Sequence, residues 1–342
     1  MTKVALAGLG RQGMLHLMNC FQIENVQVLA AADMSKSARS KARSYGVKNL
    51  YEEYDEMFKS HPDLDAIIIS VPNFLHLPCI ESALEAGFNV FTEKPLANSV
   101  KECQQIVNQV DKSGRQLMVG HNCRFYEVSE RMKQSLSDGL IGDLEVILAE
   151  EVINGPFAHP YVPKPVAEWW FDPKKAGGGV LLDIGYHMID LFRFFAGDGE
   201  VVYSFLGYRF GLPVEDHAIT ILHSKSGNTK GIIDVGWYQR TVFPRFNFRV
   251  ILNGNAGYLS SEELVPRNLY TFAVKEGTKN LLRKIVRKKI KPLRYTYFYE
   301  SFYKELKYFV GCLENDSDPS VSAEDGLRTI EIIEDAYRKG KQ

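Results

Sequence analysis

Val4-Ala5-Leu6-Ala7-Gly8-Leu9-Gly10-Arg11-Gln12-Gly13, running on into Met14 to Cys20, is the stretch that decides the fold. Four apolar residues suited to a buried strand meet three glycines spaced GxGxxG, and the glycines open a helix-compatible segment. In that setting Gly8 takes a tight turn, Gly10 lets backbone approach a pyrophosphate, and Gly13 lets helix and strand pack closely. The helix N-terminus, with Arg11 and Gln12 in its first turn, offers free N–H groups and a positive dipole to phosphate. Asp33 closes the next apolar run twenty residues after Gly13, where a carboxylate accepts hydrogen bonds from adenosine ribose hydroxyls. A carboxylate there also repels a 2′-phosphate, so NAD is expected over NADP. Ser35, Lys36 and Arg39 read as the solvated start of a helix, or else as a phosphate grip that leaves NADP possible.

Outward from this loop, short apolar runs alternate with helical stretches over residues 1–120: Val4 to Ala7, Val26 to Ala32, Asn49 to Tyr51, Ala66 to Val71, Asn89 to Thr92 and Gln116 to Gly120. That alternation predicts βαβ units and a parallel sheet covered on both faces. Beyond Asn122 the pattern becomes a helix at Glu127 to Leu136, longer β-rich stretches (Leu144 to Ile153, Val201 to Phe210, Ala218 to His223, Gly231 to Tyr238, Phe246 to Leu252) and closing helices. The expected fold class is α/β: a dinucleotide-binding Rossmann domain over 1–122, then an α+β domain over 123–342. The polar, aromatic segment His121 to Tyr126 is expected in the cleft rather than in a linker.

A chain of 342 residues predicts roughly two domains. With 41 basic against 42 acidic residues, it is neither a polyanion binder nor an acidic disordered chain. Five scattered cysteines without a CxxC argue against disulfides or zinc, so a cytoplasmic protein is expected. No apolar run approaches the roughly 18 residues that span a bilayer, and the strand-like run at Lys3 to Ala7 leads to the expectation of no targeting leader. His16, His61, His121, His159, His217 and His223 show no metal spacing and read as surface or capping residues, so no metal is expected.

Candidate chemistry stands at the carboxyl ends of the later strands, where open α/β sheets bind ligands. Ser70-Val71-Pro72-Asn73-Phe74-Leu75-His76 follows the fourth, and Glu93-Lys94-Pro95 follows the fifth. Lys94 lies between a strand end and a proline that restricts its backbone; beside a cationic nicotinamide its ammonium would polarise a hydroxyl or pass on a proton. Gly177-Gly178-Gly179 then opens a stretch in which Asp183 and His187 are spaced i,i+4. If helical, this places both on one face, with the carboxylate orienting the imidazole for proton exchange.

GLGRQG, SVPNFLH, EKP and GGGVLLDIGYHMID, in this order, resemble the Gfo/Idh/MocA oxidoreductases, named for glucose-fructose oxidoreductase and inositol dehydrogenase. The resemblance covers nearly the whole chain. It implies a C-terminal domain whose open antiparallel sheet makes homodimers or homotetramers. It also implies that Lys94 contacts substrate and nicotinamide, Asp183 is its partner carboxylate, and His187 is the acid/base. Ser70, Pro72, Asn73, His76, Glu93 and Asn122 would line the cofactor cleft, and the Lys94–Pro95 bond is often cis in such enzymes. Many members carry Trp-Arg before the triple glycine. Here Trp169-Trp170 replaces it, offering aromatic faces to a sugar ring or packing between domains; Arg124 is a further substrate candidate.

The expected activity is hydride transfer between NAD(P) and a secondary alcohol of a sugar, cyclitol or sugar derivative. Three alternatives remain. The basic amphipathic segment Leu281 to Arg294 reads first as a solvated helix, and alternatively as a contact to an anionic membrane surface or a grip on the diphosphate of a sugar-nucleotide 3-dehydrogenase. Similar folds also serve NAD-dependent glycoside hydrolysis or non-catalytic dinucleotide sensing. The aromatic run Tyr295 to Tyr299 reads as core or subunit contact, and no nucleic-acid partner is expected.

Overall fold

A computed structural model describes residues 1–159, 162–165, 167–237, 248–264, 269–286 and 299–341. They divide into two compact units, the first Met1–Glu93, Asn108–Glu127 and Leu264–Ser322, the second Lys94–Val107, Val128–Glu263 and Ala323–Gln342. A single boundary near residue 122 does not describe this division, because Leu264–Ser322 returns to the first unit. The cause is packing. Helix Tyr299–Asn315 buries Phe302, Leu306, Phe309 and Val310 and lies against helix Arg11–Cys20 and the turn Asn122–Phe125. Val321 then accepts a backbone hydrogen bond from Val119.

In the first unit β1 (Thr2–Ala7), β2 (Val26–Ala32), β3 (Asn49–Tyr51), β4 (Ala66–Ile69), β5 (Asn89–Glu93) and β6 (Leu117–Gly120) form one parallel sheet in the order β3-β2-β1-β4-β5-β6. All six agree with the strands read from sequence to within two residues. Two-sided burial explains their composition, since every residue of Ala66–Ile69 is buried. The order reverses between β1 and β4, and the loops at that switch point are Gly8–Gly10 and Ser70–Pro72.

The second unit carries β7 (Leu144–Val152), a hairpin of β8 (Phe157–His159) and β9 (Val162–Pro165), then β10 (Gly199–Gly207), β11 (His217–Ser224), β12 (Lys230–Gly236), β13 (Phe248–Gly254), β14 (Tyr258–Ser260) and β15 (Gly340–Lys341). Outside the hairpin they make one mixed sheet, β14-β13-β7-β12-β11-β10-β15, antiparallel except for β12 with β7 and β10 with β15. Its period-2 alternation is plain in β11, where every second residue is buried. Helices Tyr186–Ala196 and Ala323–Lys339 pack on this sheet. Phe192 fills the space left by two glycines on the strands that flank β11, since a Cβ on Gly199 or Gly231 would lie 2.7 or 2.6 Å from its ring. Burying such a ring contributes about 1.5–3 kcal/mol. The short strands β8, β9, β14 and β15 carry too few residues to show a period, and sequence reading passes over them.

Candidate functional site

The dinucleotide candidates lie in the first unit. Gly8 has φ +92°, a conformation that favours glycine, and a Cβ on Gly13 would meet the Gly8 carbonyl oxygen at 2.0 Å. Gly10 has open space around its Cα, and as N-cap of helix Arg11–Cys20 it caps with no side chain, leaving the first-turn N–H groups to a ligand. Arg11 reaches the Tyr299 hydroxyl at 3.0 Å, and Gln12 is half-buried beside it. Asp33 accepts the Leu9 N–H at 2.6 Å and the Ser35 N–H at 2.7 Å, which fixes its carboxylate against the glycine loop. Ser35 caps helix Lys36–Ser44, and Arg39 is spent on the carbonyls of Asp33 and Met34 and on Glu52. These groups form a helix start rather than a phosphate grip. A turn, a close approach, a free helix N-terminus and an oriented carboxylate together fit a dinucleotide.

The other candidates of this unit separate by burial. Ser70 stands against the glycine loop with its Oγ buried and unpartnered, while Pro72 and Asn73 are half-buried beyond it. His76 is fully buried and lies 3.0 Å from the Val71 carbonyl, bracing the loop. Glu93 is 2.6 Å from His16 Nε2. Asn122, also buried, reaches the hydroxyls of Tyr126 and Ser301, whereas Arg124 in the same turn is half-buried. His16 and His121 are fully buried, correcting their reading as surface residues. The His16, Glu93 and Glu305 donor atoms all lie within 4.8 Å of one another. Neither Glu305 oxygen has a partner, and burial together with the Glu93 charge pushes its carboxyl well above the usual range.

The acid–base candidates lie in the second unit, which the chain enters between Glu93 and Lys94. The Lys94–Pro95 peptide is cis. Lys94 Nζ donates to the Asp183 carbonyl at 2.8 Å and to its Oδ1 at 2.9 Å, with both side chains about one-seventh exposed. Asp183 Oδ2 accepts the indole N–H of the fully buried Trp237 at 3.3 Å. The expected regular helix is interrupted: Asp183 belongs to a π-helical turn, Leu181–Gly185, and His187 to the first turn of helix Tyr186–Ala196. Both Asp183 oxygens are thus engaged from other elements, by Lys94 and Trp237. Glu215 holds the turn from beneath, accepting the N–H groups of Gly179 and Leu181 at 3.0 Å and the Tyr337 hydroxyl at 2.8 Å. A Cβ on Gly179 would meet the Glu215 carbonyl oxygen at 2.0 Å, which accounts for that glycine.

Sequence reading missed Glu151, Trp237 and Glu215. Glu151 had a signal: of two adjacent acids in a strand, one must point to each face. Glu150 meets Arg249, while Glu151 shares the face of the buried Ile147 and Ala149, with its Oε2 buried and unpartnered. Burial first, then the Asp183 charge, pushes its carboxyl up to about 7 against the lowering effect of Lys94. Trp169 and Trp170 are stacked with ring centroids 4.6 Å apart, half-buried. Of the basic segment only 281–286 lies within the described residues; Leu281, Leu282, Ile285 and Val286 there are exposed. Residues 287–294 and 295–298 lie outside them.

Residues 2–121 match the profile of the oxidoreductase family with an NAD-binding Rossmann fold, and residues 129–260 match the Gfo/Idh/MocA C-terminal domain. The chain belongs to the Gfo/Idh/MocA oxidoreductase family. Like other members, it is an oxidoreductase with an NAD-binding Rossmann domain. Myo-inositol 2-dehydrogenase of Thermotoga maritima is 24% identical, over 96% of this chain and 93% of that protein. The 1,5-anhydro-D-fructose reductase of Ensifer adhaerens is 28% identical over 79% and 75%. Among solved structures, scyllo-inositol dehydrogenase of Lactobacillus casei, with bound NAD(H) and scyllo-inositol, superimposes with a TM-score of 0.78 at 22% identity, covering 99% of this chain and 97% of that one. No helix among the described residues of this Gfo/Idh/MocA member is long and apolar enough to cross a membrane.

Proposed function

We propose that the chain interconverts a secondary alcohol of a cyclitol or sugar with the corresponding ketone, using NAD. The observation that carries this reading is the Lys94 ammonium held by two oxygens of Asp183, at 2.8 and 2.9 Å, in a member of this family. Relatives named for inositols and 1,5-anhydrofructose support the substrate class. The first unit holds the dinucleotide: Gly8, Gly10 and Gly13 with the helix N-terminus take the pyrophosphate, Asp33 the adenosine ribose, and the Ser70–Asn73 loop the next part of the molecule. When bound, NAD supplies the two-electron acceptor for the substrate carbon.

Lys94 binds the substrate oxygen and offsets the charge that grows there as the O–H bond weakens. Asp183 keeps the ammonium in one orientation, and Trp237 keeps Asp183 in place. His187 receives the hydroxyl proton and returns it in the reverse direction. The Trp169–Trp170 stack offers a flat apolar face to the C–H side of a ring. The second unit also mediates self-association into a homodimer or homotetramer, a role supported by the exposed Val202, Tyr203 and Ile232 on its sheet. Five free, buried cysteines support a cytoplasmic location.

The test is Lys94→Ala. NAD affinity, measured by calorimetry, is expected to stay within about threefold, while turnover with the best of myo-inositol, scyllo-inositol and 1,5-anhydrofructose falls by roughly 10²–10³. Unchanged turnover on a confirmed substrate overturns the assignment.

A further inference from the structure

We propose that Glu151 is a positioning residue for this reaction, a carboxyl whose ionisation sets the field around Lys94. The inference rests on the dehydrogenase reading only for its catalytic consequence. Asp183 occupies the Lys94 ammonium with both a carbonyl and a carboxylate oxygen. Glu151 stands at the register of Val235, whose side chain lies 3.5 Å from a Cβ built on Gly185 in the turn that carries Asp183, so both charges act on its carboxyl. Among the described residues no second cation pairs with Glu151. On β12 its register partner is Val235, and on β13 it is Phe248. The charged neighbours on those strands, Asp234 and Arg249, stand at the register of Glu150 and pair with His217 and Glu150.

The helix that packs on β7, Tyr186–Ala196, brings three ionisable groups besides its tyrosine. Arg193 is committed to Asp198 and Asp325, Asp190 is buried, and His187 is the proton acceptor proposed above. A buried carboxyl oxygen with neither cation nor hydrogen-bond partner keeps its proton, because the charged form has nothing to replace water. A neutral Glu151 therefore stands near the Lys94–Asp183 ion pair. Burial raises the Glu151 carboxyl to about 7.

Below pH about 7 the ammonium faces a single negative charge and stabilises a developing alkoxide fully. Above it, ionised Glu151 adds a second negative charge, which draws on the same ammonium and opposes the alkoxide. An interaction on the order of one pKa unit between two groups is about a tenfold effect.

The test is read first without cofactor or substrate, on the full chain labelled with ¹³C at the glutamate carboxyl. A resonance titrating near 7 is expected in the wild type and absent from Glu151→Gln. Its midpoint rises in Lys94→Met, which removes the attracting cation, and falls in Asp183→Asn, which removes the repelling anion. The Lys94→Met shift leaves Glu151 in place, so it decides the matter even if Glu151→Gln does not fold. In turnover, kcat/KM of the wild type falls about tenfold from its plateau above pH 7; Glu151→Gln abolishes that fall, and Glu151→Asp restores it. A titration unaffected by Lys94→Met, or an alkaline fall that persists in Glu151→Gln, overturns the proposal. The carboxyl titration needs no reaction, so its failure is distinguishable from failure of the dehydrogenase reading.

Discussion

Replacing Glu215 with alanine tests whether the position of Asp183 depends on a clamp 32 residues further along the chain. Glu215 is almost wholly buried and satisfies three donors: the N–H groups of Gly179 and Leu181 and the Tyr337 hydroxyl, at 3.0, 3.0 and 2.8 Å. Alanine leaves all three without an acceptor, and an unsatisfied buried donor costs about 1–3 kcal/mol. The gross loss is thus about 3–9 kcal/mol. Two effects reduce it. Burial raises the Glu215 carboxyl above its usual range, so desolvation cancels part of what its hydrogen bonds contribute, and water entering the vacated space satisfies some donors. A net loss of about 2–4 kcal/mol follows, a large share of the roughly 5–15 kcal/mol typical of a domain. Urea unfolding gives this value. Glu215→Gln keeps one acceptor oxygen and most of the volume and should lose only about 1 kcal/mol. The variants must also differ in turnover, since Leu181 opens the π-helical turn that carries Asp183. Should Glu215→Ala cost less than about 0.5 kcal/mol and leave kcat unchanged, the clamp does not hold the turn.

Two further outcomes follow from burial and steric fit. Gly13→Ala puts a Cβ 2.0 Å from the Gly8 carbonyl oxygen, so the loop must shift; NAD dissociation measured by calorimetry should weaken at least about tenfold while circular dichroism stays native. Glu305 keeps its proton in the folded state because burial and the neighbouring Glu93 raise its carboxyl above the unfolded value. Its contribution is fully present below the unfolded value and lost as pH rises above it. Glu305→Gln removes that slope, so its urea midpoint should exceed the wild type's at pH 8 and match it near pH 4. A wild-type advantage at pH 8 would refute the neutral carboxyl.

How far the sequence alone could be read is set by the range of the interactions involved. The glycine loop, Asp33 and the six parallel strands are local: a period of two, a run of β-branched residues and glycines at fixed spacing suffice, and the first sheet appears within two residues of its expected limits. The acid–base set is only half local. Spacing placed Asp183 and His187 on one helical face, yet a π-helical turn intervenes and Asp183 turns to Lys94 and Trp237, partners 89 and 54 residues away. Nothing in the identity of Trp237 or Glu215 marks them, because each acts through one atom aimed at a segment the chain reaches only by folding. The return of Leu264–Ser322 to the first unit is of the same kind, decided by whether Phe302, Leu306 and Phe309 find their apolar partners on helix Arg11–Cys20 or elsewhere. Glu151 is the instructive exception. Adjacent acids in a strand whose one face is covered force a carboxyl inward, and no isolated strand holds a charge there without a cation or a proton. Of Glu150 and Glu151 one meets Arg249 in the open, and the other, on the face of Ile147 and Ala149, is left to a proton.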